Sequence, residues 1–378
     1  MNISAEIWNS PVSYLAARRP EQPVHFFHPE TLRARAALFA RSFPGLASYA
    51  VKANPDPAVI DNLLAAGISA FDVASPNEIR LIRSRAPDAA LHYNNPARSK
   101  QENAFAYGAG VRSFSVDSLA ALEKLRALGS PAQIEVSVRF KLPVAGAVYD
   151  FGTKFGAEPD KAAAILAQAA QAGFRPSITF HPGTQCEDPD AWAQYIAEAG
   201  RIARTAGVTL HRLNVGGGFP AQQAGQAPDL RRFFNIIARS TAQAFPENTP
   251  ALVCEPGRAM VAEAFAHAVC VRDINDEGAL FLNDGIYGGL SEFPVLPIAR
   301  RHAVLAPDGT PRRGPERKVT VFGPTCDSLD VLPGEHLLPE TVQEGDYILI
   351  HSMGAYVNGV TTAFNGYGNL ERITVLSL

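Results

Sequence analysis

The feature that most constrains this chain is a regular alternation. From about residue 45 to 255, short apolar runs take turns with stretches of helical periodicity. Runs at 47–51, 68–73, 90–93, 113–116, 134–139, 177–181, 210–215 and 251–254 read as strands. Segments at 55–66, 77–84, 119–128, 159–172, 189–206 and 230–244 place apolar residues at helical spacing. Such alternation predicts a parallel sheet. Eight strands over this length predict an α/β fold, a closed eight-stranded β/α barrel of the TIM type.

After residue 260 the texture changes. Strands are predicted at 269–272, 278–282, 317–322, 347–351 and 372–376, separated by Gly- and Pro-rich segments with short helical candidates only. This predicts a C-terminal all-β domain with antiparallel pairing. Residues 23–27 are also strand-like and fit either domain. The expected division is a barrel over 28–262 and a β-rich domain made of 1–27 and 263–378.

Composition narrows the class. The 378 residues are 47% apolar, enough for a large core. A net charge of −3 gives no basic face for nucleic acid. Cys186, Cys254, Cys270 and Cys326 are far apart and follow no zinc spacing, and four scattered cysteines are no disulfide framework. Met1-Asn2-Ile3-Ser4-Ala5-Glu6 lacks the basic-then-apolar pattern of a signal peptide. No apolar stretch is long enough to cross a bilayer. The expectation is a soluble chain in a reducing compartment, the cytoplasm, with no metal.

In β/α barrels the reactive groups sit where strands end. Here polar or glycine residues fall at seven predicted strand ends: Lys52, Asp72, Asn95, Arg139, His181, the run Gly216, Gly217 and Gly218, and Glu255 with Arg258. Singly, each has an ordinary reading. Lys52 is a snorkelling surface lysine, or a desolvated amine able to attack an aldehyde. The three glycines are a tight turn, or a backbone cradle for an anion. Glu255 and Arg258 are an ion pair, or a carboxylate facing a ring nitrogen and a phosphate ligand. His181 is structural, or stacks on a flat ring with Thr184 near a phosphate. Cys326, in Gly323-Pro324-Thr325-Cys326-Asp327-Ser328, is a small buried hydrophobe, or a thiol presented beside a carboxylate.

Together these residues resemble a known family, the fold-type III, alanine-racemase-like pyridoxal-phosphate decarboxylases, on the ornithine/lysine decarboxylase branch. The resemblance runs from about residue 24 to 376. It rests on Tyr49-Ala50-Val51-Lys52-Ala53-Asn54, Phe71-Asp72-Val73-Ala74-Ser75, His181-Pro182-Gly183-Thr184, the triple glycine and Glu255-Pro256-Gly257-Arg258. It continues in Asn283-Asp284-Gly285-Ile286-Tyr287-Gly288, the Cys326 turn, Gly354-Ala355-Tyr356 and Phe364-Asn365-Gly366.

The resemblance implies pyridoxal 5'-phosphate as cofactor and Lys52 as the residue that carries it as a Schiff base. It implies that Glu255 partners the pyridine nitrogen and that His181 stacks on the ring. Thr184, Gly218, Arg258 and Tyr356 match positions that hold the phosphate, Gly217 and Gly257 are further cofactor-binding positions, and Arg139 and Asp72 match positions near the ring and the Schiff base. Cys326 matches the proton donor and Asp327 the acid for the substrate's distal amine, with Tyr287 and Phe364 beside the substrate. In the family the last-named acid and thiol come from the other subunit, which implies a homodimer with shared sites. Lys154 and Asp330 match a pair that bridges subunits.

The sequence departs from the ornithine pattern at one point. A second substrate aspartate falls, without gaps, on Leu296, and Glu292 is the acid that offers a replacement. The implied reaction is decarboxylation of a basic L-amino acid, ornithine to putrescine first and lysine to cadaverine second. Alternatives are a larger amine-bearing intermediate, such as a polyamine or siderophore precursor, and diaminopimelate, whose enzymes carry Glu after the cysteine. Racemases of this fold place a tyrosine where Cys326 stands. Relatives that only bind ligands lose cofactor residues that are present here.

Overall fold

The computed structural model describes residues 6–143, 154–296 and 301–378. Two strands precede the barrel, β1 (Ile7–Trp8) and β2 (Val24–Phe27), with helix α1 (Pro11–Arg18) between them and α2 (Pro29–Ser42) after them. The barrel strands are β3 (Leu46–Ala50), β4 (Ala70–Val73), β5 (Ala90–Tyr93), β6 (Ser113–Val116), β7 (Glu135–Arg139), β8 (Arg175–Thr179), β9 (Arg212–Asn214) and β10 (Ala251–Cys254). They pair in parallel in chain order, and β10 closes on β3 through Val253 opposite Leu46 and Cys254 opposite Ala47. Several read as unbroken apolar runs because both faces are covered, one by the barrel interior and one by helices.

Helices α3 (Pro57–Ala65), α4 (Pro76–Arg85), α5 (Lys100–Gly108), α6 (Leu119–Glu123), α7 (Pro159–Gln171), α8 (Asp190–Ala206) and α9 (Leu230–Ala244) follow successive strands. Their starts are chemically marked. Proline opens α3, α4 and α7, where its missing N–H costs nothing. Ser75, Ser99 and Ser118 accept hydrogen bonds from the backbone N–H three residues on. At α5, Glu102 also accepts from the Ser99 N–H, completing a reciprocal cap that marks a helix the strand–helix reading passed over. Helix α6 stops five residues short of its expected end.

The remaining strands are β11 (Phe265–Ile274), β12 (Leu280–Leu282), β13 (His302–Leu305), β14 (Glu316–Val319), β15 (Val321–Phe322), β16 (His336–Pro339), β17 (Tyr347–His351) and β18 (Glu371–Val375). The sheet is mixed, which corrects the antiparallel expectation. β2–β11, β11–β17, β11–β12 and β13–β17 are antiparallel, whereas β1–β18, β18–β2 and β12–β15 are parallel. The N-terminal strands account for the first two parallel pairs, because β2 inserts between β11 and β18 and β1 lies on the far side of β18. The predicted strand 317–322 is two strands that leave in different pairings, β14 with β16 and β15 with β12.

The chain divides into two compact units. One is Ala34–Pro220 with Pro228–Met260, the barrel. The other is Met1–Arg33, Ala221–Ala227 and Val261–Leu378. The second unit has its own core around Val269, Leu280, Val304, Val321, Leu338 and Ile350. All four cysteines are free thiols. No described helix is long and apolar enough to cross a membrane.

Candidate active site

Lys52 stands two residues beyond β3, inside a 3-10 turn, Val51–Ala53. The turn is stapled from below: Tyr49 Oη donates to Asn54 O at 3.0 Å. Asn54 Oδ1 accepts from Asp56 N at 3.1 Å, and Asp56 caps α3. The Lys52 side chain is exposed at the barrel's carboxyl end. Pro256 O accepts from Ala50 N at 3.1 Å, so the loop after β10 is tied to the strand that carries the lysine. Gly257 packs there, where a Cβ would lie 3.0 Å from that of Ala53.

Two carboxyls face this lysine. Asp72, on β4, is buried, and burial holds it above the ordinary carboxyl range against the pull of Lys52 and Arg139. Its Oδ1 meets no hydrogen-bond donor among the described residues. Glu255 follows β10. Its Oε1 accepts from Asn94 Nδ2 at 2.5 Å and also from Asn214 Nδ2. Burial, and then repulsion from Asp72, push Glu255 up to about 8. A carboxyl in that state holds its proton near neutral pH and can share it with a ring nitrogen. Arg139, at the end of β7, is drawn below its usual value by burial while Glu255 and Asp72 hold it up; its guanidinium lies 5.3 Å from the Phe155 ring centre.

His181 lies two residues beyond β8. Burial, with Lys52 and Arg139 nearby, keeps its imidazole neutral. Nδ1 accepts from Gly183 N at 3.1 Å, which leaves the ring proton on Nε2. The glycine run wraps this ring. A Cβ on Gly217 would sit 2.5 Å from Glu255 O and 3.2 Å from His181 Nε2. One on Gly218, whose φ is +85°, would sit 2.1 Å from Gly183 O. Hydrogen bonds lace the rim: Glu255 N donates to Gly216 O at 2.7 Å and Cys186 N to Gly218 O at 2.9 Å. Thr184 is half-buried beside this rim, and Arg258, buried, opens the short helix Arg258–Val261.

The barrel unit therefore gathers Lys52, Asp72, Arg139, His181, Thr184, Gly217, Gly218, Glu255, Gly257 and Arg258. Asn95 does not belong to that set. Its amide donates to Ala74 O at 3.2 Å and accepts from Ala97 N at 3.1 Å, shaping a loop. The neighbouring Asn94 reaches Glu255 instead, as does Asn214. Neither was singled out in the sequence. The available signal was position: Asn94 is the first residue after β5, and Asn214 the last of β9.

The other predicted residues lie in the second unit. Tyr287 Oη donates to Asp327 Oδ2 at 2.5 Å, and Leu329 N donates to Asp327 Oδ1 at 3.0 Å. The tyrosine bond, more than the backbone one, holds Asp327 below the usual carboxylate range. The exposed Phe364 ring lies 4.9 Å from that of Tyr287. Cys326 is exposed, and its N–H donates to Asn365 Oδ1 at 3.1 Å. Tyr356 is half-buried with φ of 62°.

Leu296 is 2% exposed and lines the apolar interior of this unit, which explains why no charge stands there. Glu292 is half-buried on the preceding turn, its carbonyl accepting from Val295 and Leu296. Asp330 is 2% exposed and accepts from Ile286 N, Thr325 N and Thr325 Oγ1. Its carboxylate is thus engaged within its own unit, while the Lys154 ammonium lies 5.1 Å from the Phe155 ring centre.

The barrel end fits pyridoxal phosphate. It offers an amine, a proton-bearing carboxyl, a neutral imidazole for a ring face, a spare acceptor on Asp72, and a glycine rim that a single methyl group would fill. A barrel with this set defines a pyridoxal-phosphate enzyme. The chain belongs to the pyridoxal-dependent decarboxylases: residues 30–262 match the model of that family's pyridoxal binding domain. It is 32% identical over 328 residues to the lysine/ornithine decarboxylase of Selenomonas ruminantium, covering 84% of this chain and 80% of that one. It is 29% identical over 355 residues to the ornithine decarboxylase of Mus musculus, covering 87% and 75%. The arginine decarboxylase of Paramecium bursaria Chlorella virus, solved with agmatine, superimposes with a TM-score of 0.86 at 25% identity, covering 96% and 98%. The protein is a pyridoxal-phosphate-dependent decarboxylase of a basic amino acid.

Proposed function

We propose that the substrate is L-ornithine, released as putrescine, with L-lysine second, and that the site is shared between two copies of the chain. The observation that carries the substrate reading is the Tyr287–Asp327 pair, an ionised carboxylate oriented by a phenol and suited to a distal ammonium. The relatives act on ornithine, lysine and arginine, whose side chains all end in a cation. Bound pyridoxal phosphate supplies the ring that accepts the electron pair left on Cα when carbon dioxide departs.

The chain's own groups do the rest. Lys52 would hold the cofactor through its amine, at the mouth of the barrel where the substrate amine enters. Glu255 keeps a proton on the pyridine nitrogen, and Asn94 and Asn214 fix the carboxyl that does so. His181 covers a ring face while neutral, and the glycine rim with Thr184, Arg258 and Tyr356 takes the phosphate. Cys326 Sγ–H then delivers a proton to Cα. Asp327 binds the distal ammonium with Phe364 beside it, and Glu292 is the candidate second acid.

The test is carbon dioxide release from a panel of L-ornithine, L-lysine, L-arginine and norvaline. A charge-assisted contact makes the difference between ornithine and norvaline about tenfold or more. Asp327→Asn should remove most of that preference, and Glu292→Gln should lower ornithine turnover further if it replaces the missing aspartate. Equal losses for charged and neutral substrates would show that neither acid reads the amine. Turnover of a larger amine alone would favour the second reading, to which the Leu296 departure points.

A further inference from the structure

The carboxyl end of the barrel carries the site described above. The amino end carries another cavity, of about 400 Å³, among the first residues of β5, β6, β7, β8 and β9. This is within the roughly 300–1,000 Å³ of small-molecule pockets. Its wall is cationic. Arg83, Arg112, Arg175 and Arg212 line it, against the acids Asp88 and Glu135.

Each acid has an arginine of its own. Glu135 lies 3.6 Å from Arg212, and the charge of Asp88 supports that of Arg83. Arg112 and Arg175 make no ion pair among the described residues. They are held by backbone carbonyls: Arg112 Nη1 donates to Tyr107 O and Val111 O at 2.8 Å, and Arg175 Nε to Ala132 O at 2.8 Å. The Arg112 guanidinium also stacks on Tyr107, 4.0 Å from the ring centre. These bonds leave N–H groups on both guanidiniums with no acceptor among the described residues.

The two lining histidines add no charge. Burial pushes His92 down to about 4 and lowers His211 as well. The wall thus has an excess of two positive charges, in a chain whose net charge is −3. Its floor is pre-formed: Arg212 Nη1 donates to His92 Nε2 at 3.1 Å, and His92 Nδ1 lies 2.8 Å from Ser48 Oγ. Ser177 Oγ donates to Glu135 at 2.7 Å and accepts from Arg212 N at 3.1 Å. A fixed floor lowers the ordering cost of any occupant.

We propose that this amino-end cavity binds a small doubly charged oxyanion, the phosphate monoester of a metabolite, through Arg112 and Arg175. Two guanidinium forks match the charge and oxygens of one phosphate group, and the remaining volume accommodates its organic part. The site is separate from the glycine rim, which takes the cofactor's phosphate at the opposite end of the same strands.

The test uses the holoenzyme, freed of excess pyridoxal phosphate, so that the glycine rim is already filled. Inorganic phosphate and glycerol 3-phosphate are titrated calorimetrically against chloride at equal ionic strength. One saturable site per chain is expected. Arg112→Gln with Arg175→Gln should weaken it at least about tenfold, as loss of two charge-assisted contacts requires. Arg231→Gln, an exposed arginine on α9, should leave it unchanged. No saturable binding at tens of millimolar, or equal affinity in the double variant, overturns the site. If the double variant loses its cofactor absorbance, Arg175→Glu at its exposed position decides, and retained binding there overturns the proposal.

Discussion

The residue on which most of the site's electrostatics turn is Glu255. Three groups set its state: burial and Asp72 raise it, and the amides of Asn94 and Asn214 hold one of its oxygens. A carboxyl whose folded pKa of about 8 exceeds the unfolded value near 4.3 favours its protonated form. Its contribution to stability is fully present below the unfolded value and is lost as pH rises through about 8. Glu78, whose Oε2 accepts from Ala74 N at 2.6 Å, is raised by burial to about 7 and adds a loss of the same sign. Cofactor-free protein should therefore melt lower at pH 8.5 than at pH 7, a window above the unfolded histidine value near 6.5, where the buried neutral histidines no longer change its stability. Glu255→Gln, which cannot ionise, should lose less over the same window. Parallel melting curves for the two proteins would refute the assignment. With cofactor bound the difference should shrink, because the ring nitrogen shares the proton. Lys52 makes a simpler prediction: borohydride should fix the cofactor on the peptide that contains it. A Lys52→Ala protein that still forms a reducible lysine adduct would remove Lys52 from its proposed role.

At the scale of elements, the rim after β9 is a case where backbone shape, not side-chain chemistry, makes the site. Gly218→Ala would bring a methyl group to 2.1 Å from a carbonyl oxygen at a φ of +85°, so the loop must move. The barrel does not depend on that loop for its pairing, since β8, β9 and β10 are joined by their own ladders. The expected outcome is a protein that unfolds cooperatively but binds pyridoxal phosphate at least about tenfold more weakly, since a displaced rim forfeits its contacts to the phosphate. Absorbance titration measures it. Gly108→Ala, where a Cβ meets nothing within 4 Å, is the control and should bind normally. Equal affinity in all three proteins would mean that this rim does not hold the phosphate.

At the scale of the molecule, the proposed site residues divide between two units. Lys52, Glu255 and the glycine rim lie in the barrel, and Cys326, Asp327 and Tyr287 in the β-rich unit. Under the shared-site proposal, Lys52→Ala and Cys326→Ala each leave both sites of a homodimer incomplete. A hybrid of the two regains one intact site. Random exchange of equal amounts should restore about a quarter of wild-type activity, because half the dimers are hybrids with one working site each. No recovery, with subunit exchange proven by mass labelling, would argue that each chain builds its site alone.

Much of this protein is legible in its sequence because the decisive signals are local. A period of two or 3.6 residues, a proline or serine at a helix start, and a lysine or glycine just after an apolar run are all readable within a few positions. Those signals place the barrel and, at its strand ends, most of the candidate site. What the tertiary structure decides are relations between residues far apart in the chain. β10 closes on β3 through partners about two hundred positions apart, and β2, ahead of the barrel in the chain, inserts between β11 and β18. The broken strand at 317–322 and the unforeseen β13 and β16 depend on which partners the second unit offers. Asn94 rather than Asn95 reaches Glu255 because adjacent residues at a strand end point in different directions. That choice is invisible until the barrel closes and brings position 255 beside position 94.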